Sequence, residues 1–330
     1  MNLLTPGWAL GSLARARQPA ADAGAAELGP PRASVIIPHL NTPELLVKCL
    51  QAVAAQRLNH GWFEIIVVDN GSRVPLDIVA AAWPGVKFLV EREPGPGPAR
   101  NLGVAHSRGR VLAFVDADIR VAPDWLQRGV TAVEKNPDHP YGGDVRIDFA
   151  DPRHPTGIEA FEAVFSFRQK MYIERKGFSG TGNLMVDRDL WAKVGPFGPI
   201  GTAEDTAWGL KARELGHPTR YLRRMIVFHP ARLKMADVEA RWARIIAHRY
   251  GEHVESGRPM LWWQLKAWAV MLSAFAHTPQ LLLSSRVPTL AARGRGIAVL
   301  FETRRYRFMK MRRIAREGHL ETAMQWNRTS

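Results

Sequence analysis

A chain of 330 residues with 46% hydrophobic content is long enough to fold around a sizeable core, which excludes disorder throughout. Its formal charge of +14 is compatible with nucleic acid, anionic lipid or phosphorylated small molecules, so charge alone selects none of them. The single cysteine, Cys49, excludes an intrachain disulfide and fits a reducing, cytoplasmic compartment.

Residues 1–33 read as a flexible leader dominated by Ala, Gly, Pro and Arg. The apolar stretch between Met1 and Leu13 contains Pro6 and has no basic residue ahead of it, unlike a cleaved signal peptide. Structure is expected from Ser34. An apolar run to Pro38 is followed by a helix from Pro43 to Gln56 capped by Thr42, then by the run Glu64 to Asp69. Cys49 sits on the apolar face of that helix and reads as a small buried side chain. Next come Val86 to Val90, a Pro/Gly-rich turn, a helix near Ala99 to His106 and a strand from Val111 to Val115. Short Val/Ile/Phe runs alternating with helices predict an α/β fold with a mostly parallel, twisted sheet flanked by helices. Ligands in such sheets gather outside the carboxyl ends of the strands, where Asp69 and Asp116 fall.

Beyond residue 140 the pattern predicts a strand from Gly143 to Ile147, a helix from Ile158 to Arg175, the glycine-rich segment Gly177 to Asn183, a helix from Glu204 to Leu215 and a strand from Thr219 to Phe228. From Asp237 onward the chain reads as helical and increasingly basic. The expected division is a leader (1–33), a catalytic domain (34–235) and a helical, basic C-terminal region (236–330).

Asp116 and Asp118 follow a strand with only Ala117 between them, so strand alternation would aim both at the crevice. Hard carboxylate oxygens suit Mg2+ or Mn2+ bridging to a diphosphate, although an ordinary acidic turn has the same composition. Asp69 could accept from a base N–H or a sugar hydroxyl, or form an Asx turn with Asn70-Gly71. Arg100, at a helix start, could reach phosphate or base, or pair with an acid. Glu204-Asp205 at a helix start offers either a general base or acids that the helix dipole favours. The glycine-rich segment lets backbone approach a ligand closely, with Asn183 able to bond sugar hydroxyls, and it lacks the phosphate-loop pattern.

The order of the strand Ser34 to Pro38, Val67-Val68-Asp69-Asn70-Gly71-Ser72, Pro98-Ala99-Arg100-Asn101-Leu102-Gly103, Phe114-Val115-Asp116-Ala117-Asp118 and Ala203-Glu204-Asp205 resembles the family 2 inverting glycosyltransferases of GT-A fold, over roughly residues 34 to 230. The resemblance implies a nucleoside diphosphate sugar donor, expected to be UDP-linked, a divalent metal (Mn2+ or Mg2+) and a glycan or lipid-linked acceptor. By position it assigns donor contacts to Pro38, Asp69, Arg100, Asp116 and Asn183, and metal ligation to Asp118, with Asp116 and His229. Asp205 would be the catalytic base, beside Glu204. Arg241-Trp242 stands where processive relatives carry Gln-x-x-Arg-Trp, but Val238 replaces the Gln, which favours transfer of a single sugar. A nucleotidyltransferase or a non-catalytic sugar-nucleotide-binding protein is the alternative.

Leu261 to Ala276 is rich in Trp, Leu, Ala and Met but is interrupted by Gln264 and Lys266, too short for a span. With the basic run Arg286 to Arg316, whose only acid is Glu302, it reads either as a helix resting on the anionic cytoplasmic face of a membrane or as a packed appendage with a solvated basic side. No nucleic-acid signature is present, and nucleic acid is not an expected partner.

Overall fold

The computed structural model describes residues 29–59 and 62–317; most of the expected leader lies outside them. In chain order the elements are β1 (Ala33–His39), α1 (Pro43–Ala54), β2 (Phe63–Asp69), α2 (Asp77–Ala82), β3 (Val86–Val90), α3 (Pro96–Ala105), β4 (Val111–Phe114), β5 (Arg120–Val121), α4 (Trp125–Lys135) and β6 (Tyr141–Asp148). There follow α5 (Gly157–Phe165), α6 (Gln169–Met171), a π-helical turn (Tyr172–Lys176), a 3-10 turn (Thr181–Asn183), β7 (Leu184–Asp187), α7 (Arg188–Val194), α8 (Glu204–Glu214), β8 (Arg220–Pro230), α9 (Met235–Glu255), α10 (Met260–Leu282) and α11 (Leu290–Glu317).

The described residues form two compact units, one made of those up to Val145 together with Gln169–Phe228, the other of Arg146–Arg168 together with those from His229 onward. The second is therefore discontinuous in sequence, with α5 joining the C-terminal helices.

The strands lie in the order β3-β2-β1-β4-β7-β6-β8-β5. The pairs β1·β2, β2·β3 and β1·β4 are parallel, and β7 runs antiparallel to both β4 and β6. Register explains how helices cover both faces. Ile36, Phe114 and Leu184 are cross-strand neighbours and so share one face. They pack with Leu190 and Val194 of α7, Phe197, and Trp208 of α8. Phe197 meets Phe114 edge-on at 5.2 Å and lies 5.4 Å from the Trp208 ring. Burying each such side chain contributes about 2 kcal/mol. Met185, one residue on from Leu184, points to the other face, where α4 rests so closely that a Cβ at Gly129 would overlap the Met185 sulfur. On the first face α3 comes equally near, and a Cβ at Gly103 would collide with Ile36.

Three local expectations differ. Thr42 makes no side-chain cap on α1; Pro43 at the first turn has no N–H to satisfy, and Thr42 instead donates its backbone N–H to His39 Nε2 at 3.1 Å. The helix expected from Ile158 to Arg175 ends at Phe165, where the Ser166 hydroxyl turns back to Glu162 Oε1 at 3.1 Å. Helix α10 runs through Pro279 to Leu282, past the apolar stretch ending at Ala276. Helices α2 and α4 occupy stretches in which the sequence reading places no element.

In the second unit, α5 starts at a capping box of Thr156 and Glu159. Trp263 of α10 ties the long helices together: its indole donates to Met311 O of α11 at 2.9 Å, and its ring lies 5.2 Å from Tyr250 of α9. Among the described residues no helix is long and apolar enough to cross a membrane.

Candidate active site

Strand β4 ends at Phe114, and the acidic triplet lies on a tight turn beyond it, closed by Ile119 N–H donating to Asp116 O at 3.1 Å. The two aspartates are thus presented by turn geometry, not by strand alternation. Under this turn lies the buried Cys49 thiol, 3.6 Å from Asp116 O. Burial, with the charges of Asp118 and Asp116, pushes the thiol pKa up, so Cys49 is protonated and packs as a small side chain.

Arg100 organises the centre of the site. Helix α3 starts at Pro96 after Gly95, and a Cβ on Gly97 would overlap Gly198 O, so the helix end sits tightly against the loop before α8. That placement buries Arg100 to 3% exposure. Nη2 donates to Asp116 Oδ1 at 2.6 Å and Nη1 to Glu204 Oε1 at 3.1 Å, while Nε has no partner. The guanidinium joins the acidic turn after β4 to the acidic start of α8. Burial raises the Glu204 carboxyl above the ordinary glutamate range; Arg100 opposes this and the Asp205 charge adds to it. Asp205 is partly buried, and its Oδ1 accepts from Thr206 N at 2.7 Å and Thr206 Oγ1 at 3.2 Å.

Gly182 completes the wall behind Asp116: a Cβ there would stand 2.6 Å from Asp116 Oδ2 and 2.9 Å from Ile119 Cδ1. This close approach gives the glycine-rich segment a definite task, which its composition alone did not specify.

At the end of β1, His39 lies in register with Asp69. Its Nε2 accepts from Thr42 N–H, which places the ring proton on Nδ1, 3.1 Å from Asp69 Oδ1. Ser72 donates to Asp69 from both its hydroxyl and its backbone N–H. Burial would raise the Asp69 carboxyl, but the His39 and Ser72 hydrogen bonds outweigh it and hold the pKa below the ordinary aspartate value. The Asx turn is therefore formed, and it fixes a partly exposed carboxylate at the strand end. Pro38 is buried opposite Val68 and offers only apolar surface. Asn70 ties two loops together, donating to Glu93 O at 2.7 Å and accepting from Gly95 N at 2.8 Å.

The Asn183 side chain is turned into the protein interior, away from the expected donor contact. It is fully buried, its amide donates to Asp144 O and Met225 O, each at 3.0 Å, and its oxygen accepts from Trp125 Nε1 at 2.9 Å. All its bonding capacity toward the sheet is used, and it acts as a brace between strands. His229 begins the second unit's C-terminal portion, with Nδ1 2.7 Å from Pro230 O and its ring 4.6 Å from Phe167.

No group of three or more His, Cys, Asp or Glu with metal-holding geometry occurs among the described residues. Asp116 and Asp118 nevertheless suit a hard divalent cation, which takes one or two carboxylates and completes its shell with substrate phosphate oxygens and water. Asp118 is partly exposed and the Asp116 side chain is 38% exposed, as that mode of binding requires.

A family model described as glycosyl transferase family 2 matches residues 34–192, which include the acidic turn but stop short of Glu204. The glycosyltransferase AglE of Haloferax volcanii is 34% identical over 208 residues, 61% of this chain and 68% of AglE. An uncharacterized glycosyltransferase of Nostoc sp. is 31% identical over 180 residues, and the matched part is 54% of its length and 51% of this chain. Among solved structures, the mannosyltransferase PcManGT from Pyrobaculum calidifontis, in complex with GDP-Man and Mn2+, matches with a TM-score of 0.54 over 90% of this chain and 88% of that one. At 19% identity that likeness concerns the fold alone.

Proposed function

Because the chain belongs to glycosyl transferase family 2 and has a GT-A type fold, we propose that it moves a single sugar from a nucleoside diphosphate sugar, UDP-linked, to a glycan or lipid-linked acceptor with inversion at the anomeric carbon. The observation that carries this reading is the Arg100 fork, which holds Asp116 and Glu204 together and so sets a donor-side acid beside the acidic pair of α8.

Asp69 is held ionised by His39 and Ser72 and accepts hydrogen bonds from the donor's base or ribose. Asp116 and Asp118 would hold Mn2+ or Mg2+, which when bound offsets the charge developing on the leaving diphosphate. Thr206 occupies Oδ1 of Asp205 and orients the carboxylate, leaving Oδ2 to take the proton of the acceptor hydroxyl as it attacks. Arg100 positions Asp116 and Glu204 in this scheme. The expectation of His229 as a ligand rests on the resemblance and enters no step. The absence of the Gln of Gln-x-x-Arg-Trp supports transfer of one sugar per acceptor. Peripheral contact of the helical unit with the cytoplasmic face of a membrane is part of the same reading, supported by exposed Trp262, Leu265, Trp268, Leu272 and Phe275 on α10.

The experiment is a thermal-shift screen of UDP-, GDP- and dTDP-sugars with Mn2+, followed by transfer assays on the stabilising donor. Asp205→Asn should lower kcat by about 10²- to 10⁴-fold with donor binding kept. Transfer that survives both Asp118→Ala and Asp205→Asn sinks the mechanism, and stabilisation by a GDP-sugar instead of UDP-sugars replaces the donor assignment.

A further inference from the structure

An ionised carboxylate offers about four lone-pair sites, shared equally between its two oxygens. At Asp69 three of these are committed to His39 and Ser72. Oδ1 accepts from the Ser72 hydroxyl and from His39 Nδ1, the latter at 3.1 Å, and Oδ2 accepts from the Ser72 backbone N–H at 3.2 Å. What remains for a ligand is a single site on Oδ2, on a side chain that is still partly exposed.

The hydroxyl that occupies Oδ1 is itself aimed. Ser72 Oγ accepts from the Asn41 backbone N–H at 2.9 Å, which leaves its one proton directed at Asp69. His39 Nδ1 lies 3.2 Å from the same oxygen, so the imidazole N–H serves hydroxyl and carboxylate together. Asn41 delivers its N–H from a left-handed backbone with φ of 56°, and among the described residues no other non-glycine residue has a positive φ. The Asn41 side-chain oxygen accepts from Arg73 N–H at 2.9 Å, which clasps the loop after β1 to the loop after β2. Asn41 is exposed and buries nothing in this conformation; what the clasp secures is the direction of the Ser72 hydroxyl.

Nucleobases differ in what they bring to a carboxylate. The pairing edge of guanine carries two neighbouring donors, N1–H and the 2-amino group, and needs an open acceptor on each oxygen. Uracil carries one donor, N3–H, between two carbonyls. With one open site on one oxygen, Asp69 can satisfy uracil but leaves a guanine donor without a partner, which is costly in a desolvated site. Thymine has the same edge as uracil and passes the same filter.

We propose that Ser72, with its hydroxyl aimed by Asn41, is a specificity-determining residue: by filling Oδ1 of Asp69 it admits a donor nucleotide whose base offers a single N–H and rejects guanine. This rests on the reading of Asp69 as a contact of the donor base, and it is tested by nucleotide binding without turnover.

The full chain with Mn2+ is titrated with UDP and with GDP by calorimetry at about pH 8, where Asp69 is ionised with or without the Ser72 hydroxyl. Wild type should bind UDP at least about tenfold more tightly than GDP. Ser72→Ala opens Oδ1 to a second donor and should bring the two affinities within about threefold of each other, chiefly by a gain for GDP. Ser72→Thr keeps the hydroxyl and should keep the preference. Asn41→Ala disfavours the left-handed turn and should shift the ratio in the same direction as Ser72→Ala. Equal weakening of both nucleotides in Ser72→Ala is the mark of a merely structural role and overturns the assignment, as does wild type that binds GDP as tightly as UDP. Asp69→Asn separates this from failure of the underlying reading. If that variant binds both nucleotides as wild type does, Asp69 is not a donor contact at all. If it loses UDP binding while Ser72→Ala leaves the ratio unchanged, the inference about Ser72 alone is overturned.

Discussion

Arg100 donates to Asp116 Oδ1 across 2.6 Å, and its second terminal nitrogen reaches Glu204 104 residues further along the chain. One planar cation therefore sets the distance between the two acidic segments. Arg100→Met should lower transfer by about 100-fold or more through misplacement of both acids. It should also destabilise the fold by about 2 kcal/mol, less than for a wholly buried pair because the Asp116 side chain is more than a third exposed. Arg100→Lys keeps the charge but cannot serve both carboxylates with a fixed fork, so it should retain most of the stability and little of the activity. Urea titration and steady-state kinetics separate the two effects. Equal activity in the Lys and wild-type proteins would remove Arg100 from the positioning role.

Gly182 is tested by the smallest possible addition. A methyl group there meets Asp116 Oδ2 at 2.6 Å, on the carboxylate whose other oxygen is held by Arg100, and Ile119 Cδ1 at 2.9 Å. Gly182→Ala should consequently cost about 1–3 kcal/mol of stability while displacing the carboxylate. The expected signature is an apparent Mn2+ requirement raised by about tenfold, measured as activity against metal concentration. An unchanged metal titration would show that Asp116 does not need this wall.

The strands and the order of the acidic motifs were legible because both are local: β1, β2 and β4 are apolar runs buried on both faces, and each acid follows a strand or opens a helix. Partners distant in sequence were not legible. Nothing near Arg100 tells that it meets Glu204, and the sequence left phosphate, base and acid open. Asn183 shows the opposite difficulty. A glycine-rich neighbourhood suggests an exposed loop, yet the 3-10 turn leads straight into β7, and Gly143 lacks the side chain that would otherwise collide with the Asn183 amide. The sulfur beneath the acidic turn belongs to the same class: Cys49 reads as a buried residue of a helix, but only folding brings it to Asp116.

Two acids should leave opposite marks on stability as pH changes. The Glu204 carboxyl is raised by burial beyond what Arg100 offsets, so its native form keeps a proton that the unfolded chain releases. Its contribution is complete below the ordinary glutamate pKa and is lost as pH rises through the folded value. The difference in melting temperature between wild type and Glu204→Gln should therefore fall from about pH 4 toward neutrality. Asp69 is lowered because the bonds from His39 and Ser72 exceed the effect of burial. Its contribution is present above the ordinary aspartate pKa and disappears as pH falls through the folded value, so the wild-type advantage over Asp69→Asn should shrink below about pH 4. Calorimetry across this range checks both signs, and two differences moving in the same direction would contradict the assignment.

Asn183 provides the contrast to the catalytic residues. Its side chain satisfies two buried carbonyls and one indole N–H, and Asn183→Ala leaves Asp144 O, Met225 O and Trp125 Nε1 without those partners. Each unsatisfied buried group costs about 1 kcal/mol or more, so a loss of about 3 kcal/mol is expected in chemical denaturation. Donor KM in the fraction that remains folded should stay within about twofold of wild type, because the amide is fully buried and bonded to protein groups. A large rise in KM with unchanged stability would instead return Asn183 to the donor site that the glycine-rich segment first suggested. It would also require the brace between β7 and its neighbours to be carried by the backbone ladder alone.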